Sequence, residues 1–194
     1  EAFTGRQYDC IVCADVLEHL KQPERILAAC QGLLAPQGQL LISIPNAAYS
    51  GLLLELIHGE FRYRAEGLLD RTHLRFFTRQ SLIRFLTEQG WAIQSLATIE
   101  RPLDDSEFKH TRADSFPPAV VRYLLAQPDA LTYQFICIAR TGTDATALQT
   151  TALLAHNAQA QPSFTSDLYW GNTGQLSEEH KLTRRGHIGQ LHQH

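Results

Sequence analysis

The chain has 194 residues, 44% of them apolar, and a formal net charge of −3. Those values suit an ordinary globular domain with a further segment attached and enough apolar material for a core. The mild acidity argues against a nucleic-acid partner, which requires a basic stripe. No uninterrupted apolar run approaches membrane-spanning length and no signal-peptide pattern opens the chain, so a cytoplasmic protein is expected. The four cysteines, Cys10, Cys13, Cys30 and Cys137, are expected as reduced thiols. Cys10 and Cys13 are three apart on an expected strand, so they point to opposite faces and cannot form a metal knuckle.

Tyr8 to Ala14 is a short, nearly continuous apolar run followed by a helical pattern, which reads as a strand buried on both faces. It ends in Asp15-Val16-Leu17-Glu18-His19. Pro23 to Leu34 is expected as a helix, with Pro23 in its first turn and Ile26, Leu27, Cys30, Leu33 and Leu34 on one face. Pro36 and Gly38 should end it, and Gln39 to Ile44 forms a second buried strand stopped by Pro45. Strand, helix and strand in that order make a βαβ unit. Leu52 to Ile57 suggests an apolar helix ending near Gly59, followed by the aromatic and basic patch Phe61 to Arg64.

Thr78 should cap a helix running to Gln89, with Leu82, Ile83, Phe85 and Leu86 as its stripe and Gly90 as its stop. Trp91 to Ile99 alternates as a strand. Arg101 to Ser115 reads as loop, Ala119 to Leu125 as a short helix, and Leu131 to Arg140 as the last strand. Beyond Thr141 the composition turns to Thr, Ala, Gln and Asn, a linker or a loose helix over Leu148 to His156. Asp167 to Leu182 reads as a hairpin about Gly171 to Gly174. A hairpin is marginal alone and needs something to pack against. The histidine-bearing end is expected to be a polar terminus rather than a metal site.

The segments YDCIVCADVLEHL, LLAPQGQLLISIPN and DRTHLRFFT together resemble the later half of a class I S-adenosylmethionine-dependent methyltransferase. The resemblance covers roughly the first 140 residues. It implies an α/β, partial Rossmann-like sheet made of the family's strands four to seven, with flanking helices and the last strand antiparallel beside the fifth. The family's glycine-rich loop does not occur here. The chain begins at Glu1 and contains no methionine, so it is expected to be a segment of a longer polypeptide. The expected organisation is a methyltransferase domain over 1–141, a linker over 142–162 and a β-hairpin or disordered tail over 163–194. The strand edge left open by a missing neighbour would invite a homodimer or association with an N-terminal segment.

The resemblance places Asp15 and Leu17 against bound S-adenosylmethionine. His19 is a candidate for removing a hydroxyl proton, or else fastens its turn. Glu18 either serves the site or sits favourably at a helix start. His73 is the second catalytic candidate, or else a loop histidine capping local backbone, with Asp70 and Arg71 placed to orient it or to pair with each other. Asn46, and Tyr49 nearby, are candidates for touching substrate. Phe76 and Phe77 read as core aromatics anchoring their loop. Asp15, Glu18 and His19 could also hold a hard divalent ion, a spacing found in some quinone-pathway O-methyltransferases that this segment resembles. Three ligands from five consecutive residues rarely suffice, so no metal is expected.

The function expected is methyl transfer from S-adenosylmethionine to a hydroxyl of a small metabolite or sugar-like acceptor. The layout resembles methyltransferase units of bacterial polysaccharide-assembly polypeptides. The alternative is a truncated or degenerate methyltransferase-like binding module without activity. The tip of the first strand lacks the proline-bearing motif of enzymes that methylate nucleic-acid bases. The lack of a G-x-G-x-x-G and of a Tyr/Lys pair disfavours a dinucleotide oxidoreductase.

Overall fold

The computed structural model describes residues 5–111 and 113–142. The expected linker, hairpin and terminal histidines lie outside the described residues. Four strands form one sheet: β1 (Tyr8–Ala14), β2 (Leu34–Pro45), β3 (Trp91–Glu100) and β4 (Thr132–Thr141). Their spatial order is β1-β2-β4-β3, with β1 and β2 parallel and β4 antiparallel to both of its neighbours. The last strand thus inserts beside the second, as the resemblance implies. The helices are α1 (Pro23–Leu33), α2 (Ser50–Ile57), α3 (Arg79–Glu88) and α4 (Pro118–Leu125). Among the described residues, no helix is long and apolar enough to cross a membrane.

One face of the sheet carries the main core. Leu40, Ile42 and Ile44 of β2 and Phe135, Cys137 and Ala139 of β4 alternate inward, where Leu27 and Cys30 of α1 and Leu82, Ile83 and Leu86 of α3 cover them. The opposite face is only half covered, so the expectation of a first strand buried on both faces does not hold. Cys13 is the buried member of β1, whereas Val12 is 59% exposed. Ile26 likewise leaves the expected stripe of α1 for solvent. Cys10 is exposed and Cys13 buried, as the alternation of a strand requires, and all four thiols are free.

β2 begins five residues earlier than its apolar run suggests. Its register against β1 shifts between the Tyr8–Leu34 and Cys10–Gln39 pairs, and Pro36 and Gly38 fall inside that irregularity. A Cβ at Gly38 would stand 2.8 Å from the Tyr8 carbonyl oxygen. The residues expected to end the helix instead allow two strands to approach.

A second cluster lies beyond the carboxyl end of β2. Tyr49, Leu52 and Leu54 pack there with Leu68, Leu69, Phe108, Phe116, Val121 and Leu124. The segment read as loop over Arg101 to Ser115 holds two short 3-10 turns, Leu103–Asp105 and Ala113–Ser115, and gives the cluster Leu103 and Phe108. The clusters are joined at the start of α3. Thr78 caps that helix in a reciprocal box with Ser81. The next residue, Arg79, grips both carboxylate oxygens of Asp129 at 2.6 and 2.5 Å in a nearly buried pair. Removing the cap by Thr78→Ala should cost about 1 kcal/mol. Opening a cavity by Leu86→Ala should cost roughly 2–5 kcal/mol. Urea unfolding measures both, and a Thr78→Ala protein as stable as the parent would deny the box any share in holding α3.

Candidate active site

The chain leaves β1 through a tight left-handed residue. Asp15 has φ 51°, a region that Asp tolerates better than most side chains. Its N–H donates to the Ser43 carbonyl and hydroxyl, while its Oδ1 accepts from Ser43 Oγ at 3.0 Å and from Gln134 Nε2 at 2.5 Å. The carboxylate therefore bridges the ends of β1, β2 and β4 and stays exposed there. The turn Leu17–His19 follows, anchored by Leu17, whose side chain is wholly within the main core.

The Glu18 carbonyl then accepts two backbone N–H groups from the distant loop, Leu74 at 2.7 Å and Arg75 at 3.0 Å. The Arg75 guanidinium adds a bond to the Lys21 carbonyl at 2.7 Å. These bonds bring His73 against His19, their rings meeting edge to face with centroids 4.6 Å apart. Glu18, His19 and His73 each present one potential ligand atom within 4.8 Å of the other two.

Glu18 is the anomaly of the group. It is 1% exposed, and neither carboxylate oxygen has a hydrogen-bond partner among the described residues. Burial, reinforced by nearby Asp15, lifts its carboxyl from an ordinary 4.5 to about 7. His73 is buried too, and its Nδ1 faces the Leu68 carbonyl at 3.0 Å. A carbonyl only accepts, so Nδ1 carries the proton and Nε2 of the neutral ring keeps a free lone pair.

Three residues expected at the ligand are engaged within the fold. Leu17 serves the core, where its side chain is fully buried. Asn46 is also fully buried: its amide donates to the carbonyls of Thr132 at 2.8 Å and Asp129 at 3.3 Å, and its oxygen accepts from Ala48 N at 2.9 Å. Tyr49 lies in the second cluster with its hydroxyl against the carbonyls of Arg101 and Pro102. Both are used up in tying the end of β2 to the rest of the fold. The potential ligand set differs as well: His73 stands where Asp15 was considered.

Residues 1–96 match the family model described as a methyltransferase domain. Those residues, just under half of the chain, are thus similar to a methyltransferase domain. A ubiquinone biosynthesis O-methyltransferase from Burkholderia pseudomallei (strain 1710b) is 37% identical over 95 residues, which are 46% of this chain and 40% of that protein. Another, from Leptothrix cholodnii, is 24% identical over 140 residues, 71% of this chain and 53% of its own. The chain thus spans about half, or less, of the curated relatives it matches. A solved S-adenosylmethionine-dependent methyltransferase from Clostridium acetobutylicum ATCC 824 superposes with a TM-score of 0.41 at 10% identity, covering 71% of this chain and 60% of that one.

The buried carboxyl of Glu18 has a measurable consequence in metal-free protein. Its folded value lies above its unfolded value, so the native state holds the proton more tightly. Stability is therefore lost as pH rises from about 4.5 through about 7. Glu18→Gln should abolish that loss, a difference on the order of 3 kcal/mol between about pH 5 and pH 8. Urea unfolding of both proteins at the two pH values reads it directly, and parallel pH trends would contradict the assignment.

Proposed function

We propose that the protein transfers the methyl group of S-adenosylmethionine to a hydroxyl of a small acceptor positioned at Glu18, His19 and His73. The observation that carries this reading is a buried carboxylate without a partner beside two imidazoles, at the carboxyl end of a parallel strand. Ligands of open α/β sheets bind at such strand ends. S-adenosylmethionine supplies an already activated methyl group, so the protein's work is alignment and removal of the acceptor proton. Asp15 lies on the same strand end as the cluster. There it can line the cofactor cleft, its carboxylate held by Ser43 and Gln134.

Glu18, His19 and His73 fit a divalent cation: one carboxylate, two imidazoles, and an oxygen pair that no donor among the described residues satisfies. A cation held there would lower the pKa of an acceptor hydroxyl. This reading replaces the expectation of no metal. The relatives' names support an oxygen acceptor, and the surroundings of His73 support a flat one. Phe76 lies 6.4 Å from the His73 ring, Phe61 6.1 Å from Phe76, and Tyr63 5.4 Å from Phe61. All three are exposed, so Phe76 is not the core anchor its sequence suggests. Such a strip suits an aromatic ring better than a sugar.

The test is methyl transfer in the full-length protein, with a catechol as probe acceptor. His73→Ala and Glu18→Gln should each lower kcat roughly 100-fold or more, with S-adenosylmethionine affinity by calorimetry unchanged. Chelation should abolish activity and an added divalent cation restore it. Activity indifferent to chelator would transfer proton removal to the imidazoles alone. Absence of both cofactor binding and turnover would favour a binding module instead.

A further inference from the structure

His73 and His19 are oriented by different means, and the difference exposes a device that the proposed reaction does not by itself require. His73 leans on a main-chain carbonyl. His19 leans on a side chain: its Nδ1 is 2.9 Å from Thr72 Oγ1. Thr72 Oγ1 is in turn 2.6 Å from Asp70 Oδ1, and the same carboxylate oxygen accepts the Thr72 N–H at 2.7 Å.

The direction of every proton in that chain is fixed by counting donors. An ionised carboxylate can only accept, so the Thr72 hydroxyl donates to Asp70. A hydroxyl has a single proton, so towards His19 the same oxygen offers only lone pairs. The contact is then a hydrogen bond only if His19 Nδ1 donates. A neutral imidazole carries one N–H, which leaves His19 Nε2 unprotonated. Asp70 is suited to this duty, since the two bonds from Thr72 hold its carboxyl below its usual range. The opposite tautomer would set the Nδ1 lone pair against those of Thr72, unless the hydroxyl abandoned Asp70.

We infer that Thr72 and Asp70 are positioning residues that fix the Nδ1–H tautomer of His19 and so hold its Nε2 as the free donor of the site. The inference builds on the proposed role of the Glu18, His19 and His73 cluster, but the tautomer itself is independent of that role. A hydrogen-bonded outer partner of this kind sets ring orientation and ligand basicity. Thr72 is exposed, so it can be replaced without opening a cavity. The relay gives the acid and the hydroxyl of the 70–73 segment one shared task, while His73 is held separately by the Leu68 carbonyl.

The experiment uses metal-free full-length protein labelled with nitrogen-15, in which long-range proton–nitrogen correlation distinguishes the two tautomers of each histidine ring. The parent should show His19 protonated at Nδ1. Thr72→Val and Asp70→Ala should shift it to a mixture dominated by Nε2–H, and Thr72→Ser should restore the parent pattern. Titration with zinc alone should show affinity lowered about tenfold or more in Thr72→Val and recovered in Thr72→Ser. A parent ring protonated at Nε2, or a Thr72→Val ring still fully protonated at Nδ1, would overturn the inference. An Nδ1–H tautomer that responds to these variants in a protein that binds no zinc would uphold the relay and remove the cation from the proposed site.

Discussion

The two hydrogen bonds received by the Glu18 carbonyl from Leu74 and Arg75 hold the candidate site together. They join a turn at the end of β1 to a loop more than fifty residues later. Without them His19 and His73 would belong to separate pieces of surface. Backbone bonds are a fitting device, because they fix position whatever side chains flank them. A loop tied only by exposed side chains would surrender entropy for little return. Here the loop is pinned at the carbonyl of the very residue whose carboxylate is buried.

Each half of the site is moored to a different cluster. Leu17, one residue before Glu18, is locked in the core over the sheet, and Leu68 and Leu69, just before Asp70, are locked in the second cluster. The Leu68 carbonyl then holds His73. The separation of the two imidazoles therefore reports how the clusters sit against each other. The Arg79–Asp129 pair governs that seam: Arg79 opens α3 over the main core, while Asp129, at φ 63°, opens the approach to β4. A nearly buried ion pair adds little net stability over apolar packing, but breaking one side of it is costly. Its place at the junction of two packed clusters is where directional specificity matters most.

Local sequence signals made most of the elements legible, while their order in the sheet came from the family resemblance. The Thr78 cap, the stripe from Leu82 to Leu86 and the alternation after Trp91 all follow from local preferences that the packing reinforces. Where local signals failed, a neighbour had intervened. Gly38 reads as a helix stop, yet the Tyr8 carbonyl beside it makes it a point of close strand approach. The apolar composition of β1 reads as burial on two faces, yet among the described residues α1 and α3 pack on the face opposite Val12 and leave it exposed. Burial of a strand depends on what is laid over it, which no local pattern encodes.

The candidate site divides along the same line. His19 and His73 can be singled out one at a time, because a titratable ring near a strand end is conspicuous. Their contact with each other depends on how a chain of more than fifty residues returns. Asn46 and Tyr49 drew attention for the same positional reason, and the structure spends both on carbonyls of neighbouring segments. The distinguishing property is unused hydrogen-bonding capacity. Asn46 is buried and satisfied; Glu18 is buried and unsatisfied. Two polar residues at adjacent strand tips thus have opposite status. Leaving a carboxylate buried and unpaired costs free energy on the order of 1–3 kcal/mol or more, a penalty that Glu18 bears and Asn46 does not.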